Sequence, residues 1–234
     1  MSRTFTLVDS LALSDLHVFL GRALRLEDGS VRLIAGSGVL AVYVSVLHPA
    51  GLLDESPTVL GLRTFALTGP ESFDVIVPVR SLLMRVEGAL AAGPGPGSGP
   101  DAEDAHPVSV SLPMEVNTVT WAAISPPRGG WRVLPRVDPA LLDTAARAGI
   151  EEVAAAIPEG AGEQLVQRVR TEIWGRSIEG LDHLPAGAAF AALSLGFLGE
   201  PDEVVAVYES GPWTRLTTTR GHVLVKRRAW ALAR

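Results

Sequence analysis

Apolar and polar residues recur with two different periods along this chain, and the changes of period predict its first elements. Alternating or β-branched apolar runs predict strands at 4–8, 31–35, 39–47, 58–67 and 73–77. Helical spacing predicts a helix from an N-cap at Ser14 to about Leu26, and a second over 79–90 opened by Pro78. Gly36-Ser37-Gly38 predicts the turn of a hairpin between the second and third strands.

Residues 93–107, GPGPGSGPDAEDAHP, break this pattern. The segment holds four glycines, four prolines and almost no apolar side chain, so it predicts a mobile surface loop. Strand-like patterns return at 108–112, 119–123 and 131–134. Because the loop then joins a helix to returning strands, we expect it inside the first domain, and we place the domains at 1–134 and 135–234.

The pattern after residue 135 predicts three helices followed by a β-meander. Asp138-Pro139 opens the first helix, which ends near Ile157, and the second spans 162–174. Pro185 opens the third, over 186–198, which is apolar on every side and must be covered all round. Strands follow at 204–208, 213–218 and 222–225. The expected fold is α+β: an N-terminal, mostly antiparallel sheet domain with two helices, then a three-helix domain with a three-stranded meander, in winged-helix-like order.

Composition excludes several classes of protein. With 47% hydrophobic and 20% charged residues, the 234-residue chain is typical of globular proteins. Its longest apolar runs are shorter than the roughly 18 residues of a membrane span, and it begins without a signal-peptide pattern, so we expect a cytoplasmic protein with no membrane partner. The absence of cysteine excludes thiolate catalysis and Cys-based metal sites. Nineteen arginines against one lysine, with abundant Ala, Gly and Pro, indicate a GC-rich genome.

Candidate chemistry is sparse. The five histidines form no metal-binding motif, so we predict no metal site and no cofactor. Asp182-His183 offers a base and its orienting carboxylate, but no GxSxG motif supplies a nucleophile. Gly36-Ser37-Gly38 precedes a strand, not a helix, so it does not predict a phosphate loop. We assign no catalytic residue.

The C-terminal hairpin carries the one candidate site. Although the chain has a net charge of −6, no acidic residue follows Trp213, and besides Arg234 at the last position the basic residues there are Arg215, Arg220, His222, Lys226, Arg227 and Arg228. This cluster is suited to an anion or a phosphate backbone. The alternative is a solvated edge hairpin, whose charges prevent edge-to-edge association. The third predicted helix has no side chain able to recognise a base, which favours the second interpretation.

Several segments resemble a family of uncharacterised actinobacterial proteins. They are SDLHVFLGRAL, FDVIVPVRSLL, GWRVLPRVDP, VRTEIWG, LPAGAAFAALSLGFLG and GPWTRLTTTRGHVLVKR. The resemblance implies no activity and transfers no functional residue. The N-terminal order of helix, hairpin, strands and second helix is also similar to one repeat unit of a DNA sliding clamp.

These observations favour a non-catalytic cytoplasmic binding or assembly module. An apolar helix and exposed strands both invite a partner, so we expect self-association or a protein partner. Two alternatives stay open: nucleic-acid binding by the basic C-terminal hairpin, and an enzyme whose site is dispersed along the chain.

Overall fold

The computed structural model describes residues 3–26, 29–51, 54–92, 106–117, 119–199 and 203–227. The chain divides into two compact units, one of Met1–Val44 with Arg63–Ala122 and one of Ser45–Leu62 with Ala123–Arg234. Strands β3 (Val39–Leu47) and β4 (Thr58–Ala66) each contribute residues to both units. The division into domains 1–134 and 135–234 stays a prediction.

The first unit packs two helices with antiparallel strands. Its further elements are β1 (Thr4–Leu7), α1 (Ser10–Leu26), β2 (Ser30–Gly36), β5 (Phe73–Pro78), α2 (Val79–Ala92) and β6 (Val108–Ser111). Strand β2 pairs with β5 on one side and β3 on the other, and β1 pairs with β6. Alternate residues of β2, Val31, Leu33 and Ala35, are buried, as the period of two requires. The turn between β2 and β3 is confirmed: Ser37 and Gly38 both have positive φ (52° and 75°), which is typical of a type I′ hairpin.

Helix α1 begins one turn earlier than predicted. The prediction that Ser14 is the N-cap is wrong. The side chain of Asp9 accepts a hydrogen bond from the Ala12 backbone N–H at 2.7 Å, so Asp9 is the N-cap. The buried Leu13 extends the core-facing stripe by that extra turn. The neighbouring Asp15 pairs with Arg63.

Residues 119–123 do not form the predicted strand, because Thr120–Ala123 is a 3₁₀-helix. Trp121 and Ala122 are both buried, whereas a half-exposed strand buries alternate residues. Arg32 also donates a hydrogen bond to the Ala122 carbonyl at 2.7 Å, which removes that group from any ladder. Most of the predicted mobile loop, residues 93–105, lies outside the described residues.

The second unit packs helices with antiparallel strands in the order β4-β12-β11-β10-β7. Its elements are β7 (Arg132–Val137), α3 (Pro139–Ala156), α4 (Glu163–Gly175), β8 (Ser177–Ile178), β9 (Leu181–Pro185), α5 (Ala186–Ser194), β10 (Val205–Ser210), β11 (Trp213–Thr217) and β12 (His222–Lys226). Asp138 caps α3 as predicted, since its carboxylate accepts from the Ala140 N–H at 2.8 Å. The short β8–β9 hairpin was not predicted.

Helix α5 is the centre of this unit and contacts α3, α4 and β12. Its small residues Gly187, Ala188, Ala189, Ala191 and Ala192 are buried, so they allow the close approach that their size predicts. A Cβ at Gly187 would lie 3.0 Å from the Trp174 carbonyl oxygen. The helix ends at Ser194, four residues earlier than expected. Gly196 adopts φ 72°, and the Phe197 N–H bonds to the Ala192 carbonyl at 2.8 Å, which is a Schellman cap.

The α+β fold class is confirmed: the described part of the chain has two α-helices in the first unit and three α-helices before the meander β10–β12 in the second. Among the described residues, no helix is both long and apolar enough to cross a membrane.

Candidate binding site on strands β11 and β12

The sheet register brings three of the predicted basic residues onto one face. Arg215 on β11 lies opposite Leu224 of β12, and His222 and Lys226 are two positions to either side of Leu224. Because every second residue of a strand shares a face, Arg215, His222 and Lys226 point the same way. The opposite face carries the buried residues Leu216, Val223 and Val225.

Arg215 is held between two aromatic rings. Its Cζ atom lies 4.5 Å from the ring centroid of Trp131 and 4.6 Å from that of Tyr208. Both distances are well inside the range of a cation–π contact. Tyr208 is the cross-strand partner of Arg215 on β10, and the Trp131 indole is fixed by a hydrogen bond from Nε1 to the Pro127 carbonyl at 3.2 Å. The sheet and the 127–131 turn therefore orient the guanidinium.

The Arg215 guanidinium has no counter-ion among the described residues. Its Nε is buried without a hydrogen-bond partner in the described chain, and the guanidinium contacts the two rings. Burial lowers the pKa of Arg215, although the Tyr208 hydroxyl acts in the opposite direction. Arg32 of the first unit shows the usual arrangement: two N–H groups donate to Asp74 at 2.8 and 2.6 Å, and a third donates to a carbonyl. Arg215 differs because nothing in the described chain supplies the anion.

His222 lies on the same face as Arg215. Its Nδ1 lies 3.1 Å from Thr217 Oγ1, its partner across the hairpin. Burial, and after it the charge of Arg215, lower the pKa of His222. The lowered pKa favours the neutral imidazole at neutral pH, so the positive charge of this face comes from Arg215 and Lys226.

The other predicted residues lie elsewhere. Arg227 pairs with Glu209 at 2.6 Å, and Arg132 pairs with the second oxygen of the same carboxylate. The hydrogen bond from Arg132 is the main cause of the lowered pKa of Glu209. Arg220 lies in the exposed turn between β11 and β12, and Arg228 lies outside the described residues. Of the six candidates, three share a face and a fourth is neutralised.

Sequence reasoning missed both rings of the stack. Tyr208 carried a usable signal, because counting back from the two-residue turn Gly211-Pro212 pairs it with Arg215. Trp131 carried no such signal, because it lies just before β7 and only the pairing of β7 with β10 brings it over Arg215.

The side chains of Asp182 and His183, to which the sequence assigned no catalytic role, do not converge. The two residues are neighbours on β9, so their side chains leave opposite faces of the strand, with Asp182 exposed and His183 half-buried. His183 Nε2 is buried without a hydrogen-bond partner in the described chain.

The structure also places a second histidine near a hydroxyl and a carboxylate. Ser45 Oγ lies 2.8 Å from His48 Nδ1, and Asp54 follows in the next loop. The Asp54 carboxylate accepts from the backbone N–H groups of Ala50 and Ser56, at 2.8 and 2.9 Å. These bonds commit the carboxylate to holding the loop instead of orienting the imidazole. Over the described ranges, no three His, Asp or Glu side chains are grouped to hold a metal ion.

Two domain families of unknown function match the chain. Residues 1–104 match the domain of unknown function DUF8010, and residues 126–230 match the domain of unknown function DUF8185. No curated protein matches the sequence.

Solved structures with a similar arrangement include DNA polymerase III β subunits. The subunit from Pseudomonas aeruginosa is 13% identical, with a TM-score of 0.47 over 96% of this chain and 64% of its own. That from Caulobacter crescentus is 13% identical, with a TM-score of 0.46 over 96% and 65%. A putative β subunit from Eubacterium rectale is 8% identical, with a TM-score of 0.46 over 95% and 64%. The chain thus spans less than two thirds of the length of these subunits.

The resemblances expected from the sequence, to an uncharacterised family and loosely to a sliding clamp, are confirmed by these matches, whereas an actinobacterial origin stays a prediction. Structural similarities at this level carry no argument about function. The chain is thus similar to two domain families of unknown function over separate segments, DUF8010 over residues 1–104 and DUF8185 over residues 126–230.

Proposed function

We propose that this protein is a non-catalytic, cytoplasmic module that binds a partner through the β10–β12 face. The observation that carries the proposal is the ring-held Arg215, which makes no ion pair within the described chain. A guanidinium that loses water without gaining a counter-ion is costly to the free protein. That cost is recovered when a partner supplies the anion.

The alternative of an edge hairpin protected by charge explains Arg215 less well. A protective charge acts by staying solvated, as Arg220 does in its exposed turn. Arg215 is instead partly buried, with its Nε out of contact with water. Its position suits recognition better than protection.

The nucleic-acid alternative has less support from the same residues. Binding to a phosphate backbone depends on several uncommitted cations, and its affinity falls steeply with salt. Here Arg132 and Arg227 both form ion pairs with Glu209, and the whole chain carries a net charge of −6. Affinity for random duplex DNA, measured from low to physiological salt, separates the two functions. The proposal expects no salt-dependent complex, whereas a complex that weakens with salt and with Arg215→Gln would favour nucleic acid.

We also propose that the protein self-associates, because helices α3 and α4 expose large apolar side chains. Ile150 of α3 and Leu165 of α4 are 40% and 41% exposed. Burial of such side chains between copies is favourable by about 25 cal/mol per Å². Sedimentation equilibrium should show oligomers that Leu165→Glu dissociates and that Met84→Glu, at an exposed site on α2, leaves intact. A monomer at all concentrations would contradict this part of the proposal.

A further inference from the structure

We infer that Arg215, held between Trp131 and Tyr208, is the docking point for a carboxylate on an acidic segment of a protein partner; the inference rests on the binding function proposed above. The free protein already contains the cation, its orientation and the flanking apolar surface. What the described chain lacks is the anion.

The stack favours a carboxylate because it fixes the plane of the guanidinium. Two rings at 4.5 and 4.6 Å restrict the side chain to the space between them. The planar guanidinium presents paired N–H donors whose spacing matches the two oxygens of a carboxylate. Because this long side chain is already ordered in the free protein, binding does not have to pay the entropy cost of ordering it, and the affinity is higher.

The surroundings of Arg215 favour an acidic partner. The residues that share its face on β10, β11 and β12 are Ala206, Tyr208, Ser210, Trp213, Thr217, His222, Leu224 and Lys226, none of which carries a carboxylate. Lys226 adds a positive charge on the side away from Tyr208. Charge complementarity therefore selects a segment with one or more acidic residues.

The same surroundings favour a protein over a nucleic acid. Tryptophan, tyrosine and arginine are the residues most enriched at the energetic centres of protein interfaces, and here one of each is stacked together. Val133, the cross-strand neighbour of Tyr208 on β7, is 70% exposed and extends the apolar surface beside the stack. A mixed apolar and cationic surface of this kind suits an acidic peptide with apolar side chains.

A phage-displayed library of random 12-residue peptides, selected against the immobilised full chain, tests the inference. Enriched peptides should share an aspartate or glutamate, and replacing it with asparagine or glutamine should weaken binding about tenfold or more, as expected for a lost charge-assisted hydrogen bond. The same peptides should bind Arg215→Gln and Arg215→Lys about tenfold more weakly. The lysine variant keeps the positive charge but lacks the paired N–H donors of the guanidinium. Arg220→Gln makes the same change of charge on the same hairpin. Its affinity for the peptides should stay within about twofold of that of the wild type, because no charge-assisted hydrogen bond, worth about tenfold, is lost.

Thermal melting first shows whether the variants are folded. For folded variants, the results that contradict the inference are as follows. Enriched peptides that tolerate Arg215→Gln, or that lack an acidic residue, overturn the inference and leave the binding function standing. Equal weakening by Arg215→Gln and Arg220→Gln also overturns it, because general electrostatics would then explain the binding. A library that yields no enriched peptide counts against the inference and against the binding function itself.

Discussion

Substitution of Gly149 by alanine tests how tightly the helices of the second unit are packed. Gly149 lies on the buried face of α3, directly against the Trp174 indole of α4. A Cβ atom at this position would lie 2.3 Å from Trp174 Cζ3. Carbon atoms in contact normally stand about 3.5–4.0 Å apart, so the indole or the helix must move.

The indole has little room to move. Trp174 is 2% exposed and stacks on Phe190 of α5, with ring centroids 4.2 Å apart and planes 16° from parallel. Overpacking of this kind costs about 1–3 kcal/mol. Alanine has a higher helix propensity than glycine, by about 1 kcal/mol, which offsets part of the cost. Because a distance of 2.3 Å is a severe overlap, the overpacking cost lies in the upper part of this range, about 2–3 kcal/mol. After the gain in propensity is subtracted, we expect Gly149→Ala to lower the free energy of unfolding by about 1–2 kcal/mol.

Gly88 in α2 provides the matched control. A Cβ added there has no atom within 4 Å. Gly88→Ala should therefore raise the free energy of unfolding by about 0.5–1 kcal/mol. Urea unfolding followed by tryptophan fluorescence measures both changes. In a Trp174→Leu background, which removes the clash, Gly149→Ala should become neutral or stabilising. Destabilisation by Gly149→Ala that is the same with and without Trp174, or a variant as stable as the wild type, would refute the reasoning.

Three further predictions concern stability. Asp138→Ala removes the cap that accepts from the Ala140 N–H and should lower the free energy of unfolding by about 1 kcal/mol in the same urea assay, whereas Asp138→Asn should retain most of it. Burial and the charge of Arg215 lower the pKa of His222 below its unfolded value, so its contribution to stability is present above about pH 6.5 and is lost as the pH falls below that value. His222→Gln should flatten this part of the curve of unfolding free energy against pH, and an unchanged curve would exclude His222 as its cause. Ser37→Asn should raise the melting temperature, because φ at this position is 52° and asparagine tolerates the left-handed region better than serine; a lower melting temperature would contradict the type I′ assignment.

Local signals in the sequence were sufficient for most of the elements. Asp138-Pro139 marks the start of α3 because a carboxylate cap and a proline at the first helical position are both local features. The mostly apolar strand β3 and its tight turn to β2 were likewise predicted at the correct residues. These elements depend on interactions between residues close in sequence.

The errors arose where tertiary contacts decided between local alternatives. Asp9 and Ser14 are both acceptable N-caps, and burial of Leu13 in the core selects the earlier one. Apolar residues at 119–123 fit a strand, but the hydrogen bond from Arg32 to Ala122 favours a compact turn. No local pattern distinguishes these outcomes.

The candidate site was half predictable for the same reason. The basic residues of the C-terminal hairpin are visible in the sequence, and their alternation predicts that Arg215, His222 and Lys226 share a face. Which arginines are neutralised is a property of the fold, because Glu209 reaches Arg132 and Arg227 across the sheet. The sequence shows the charges but not their pairing.

The proton chemical shift of the Arg215 Nε–H group, measured by nuclear magnetic resonance, tests the central claim most directly. The signal is assigned by its absence from the spectrum of Arg215→Lys. Ring currents from Trp131 and Tyr208 should move this proton well upfield of an exposed arginine in the free protein, since both rings face the guanidinium. Titration with an acidic peptide selected as above should then shift it downfield, because a carboxylate accepts from the guanidinium. A free-protein shift typical of exposed arginine, or one that saturating peptide leaves unchanged, would contradict the account.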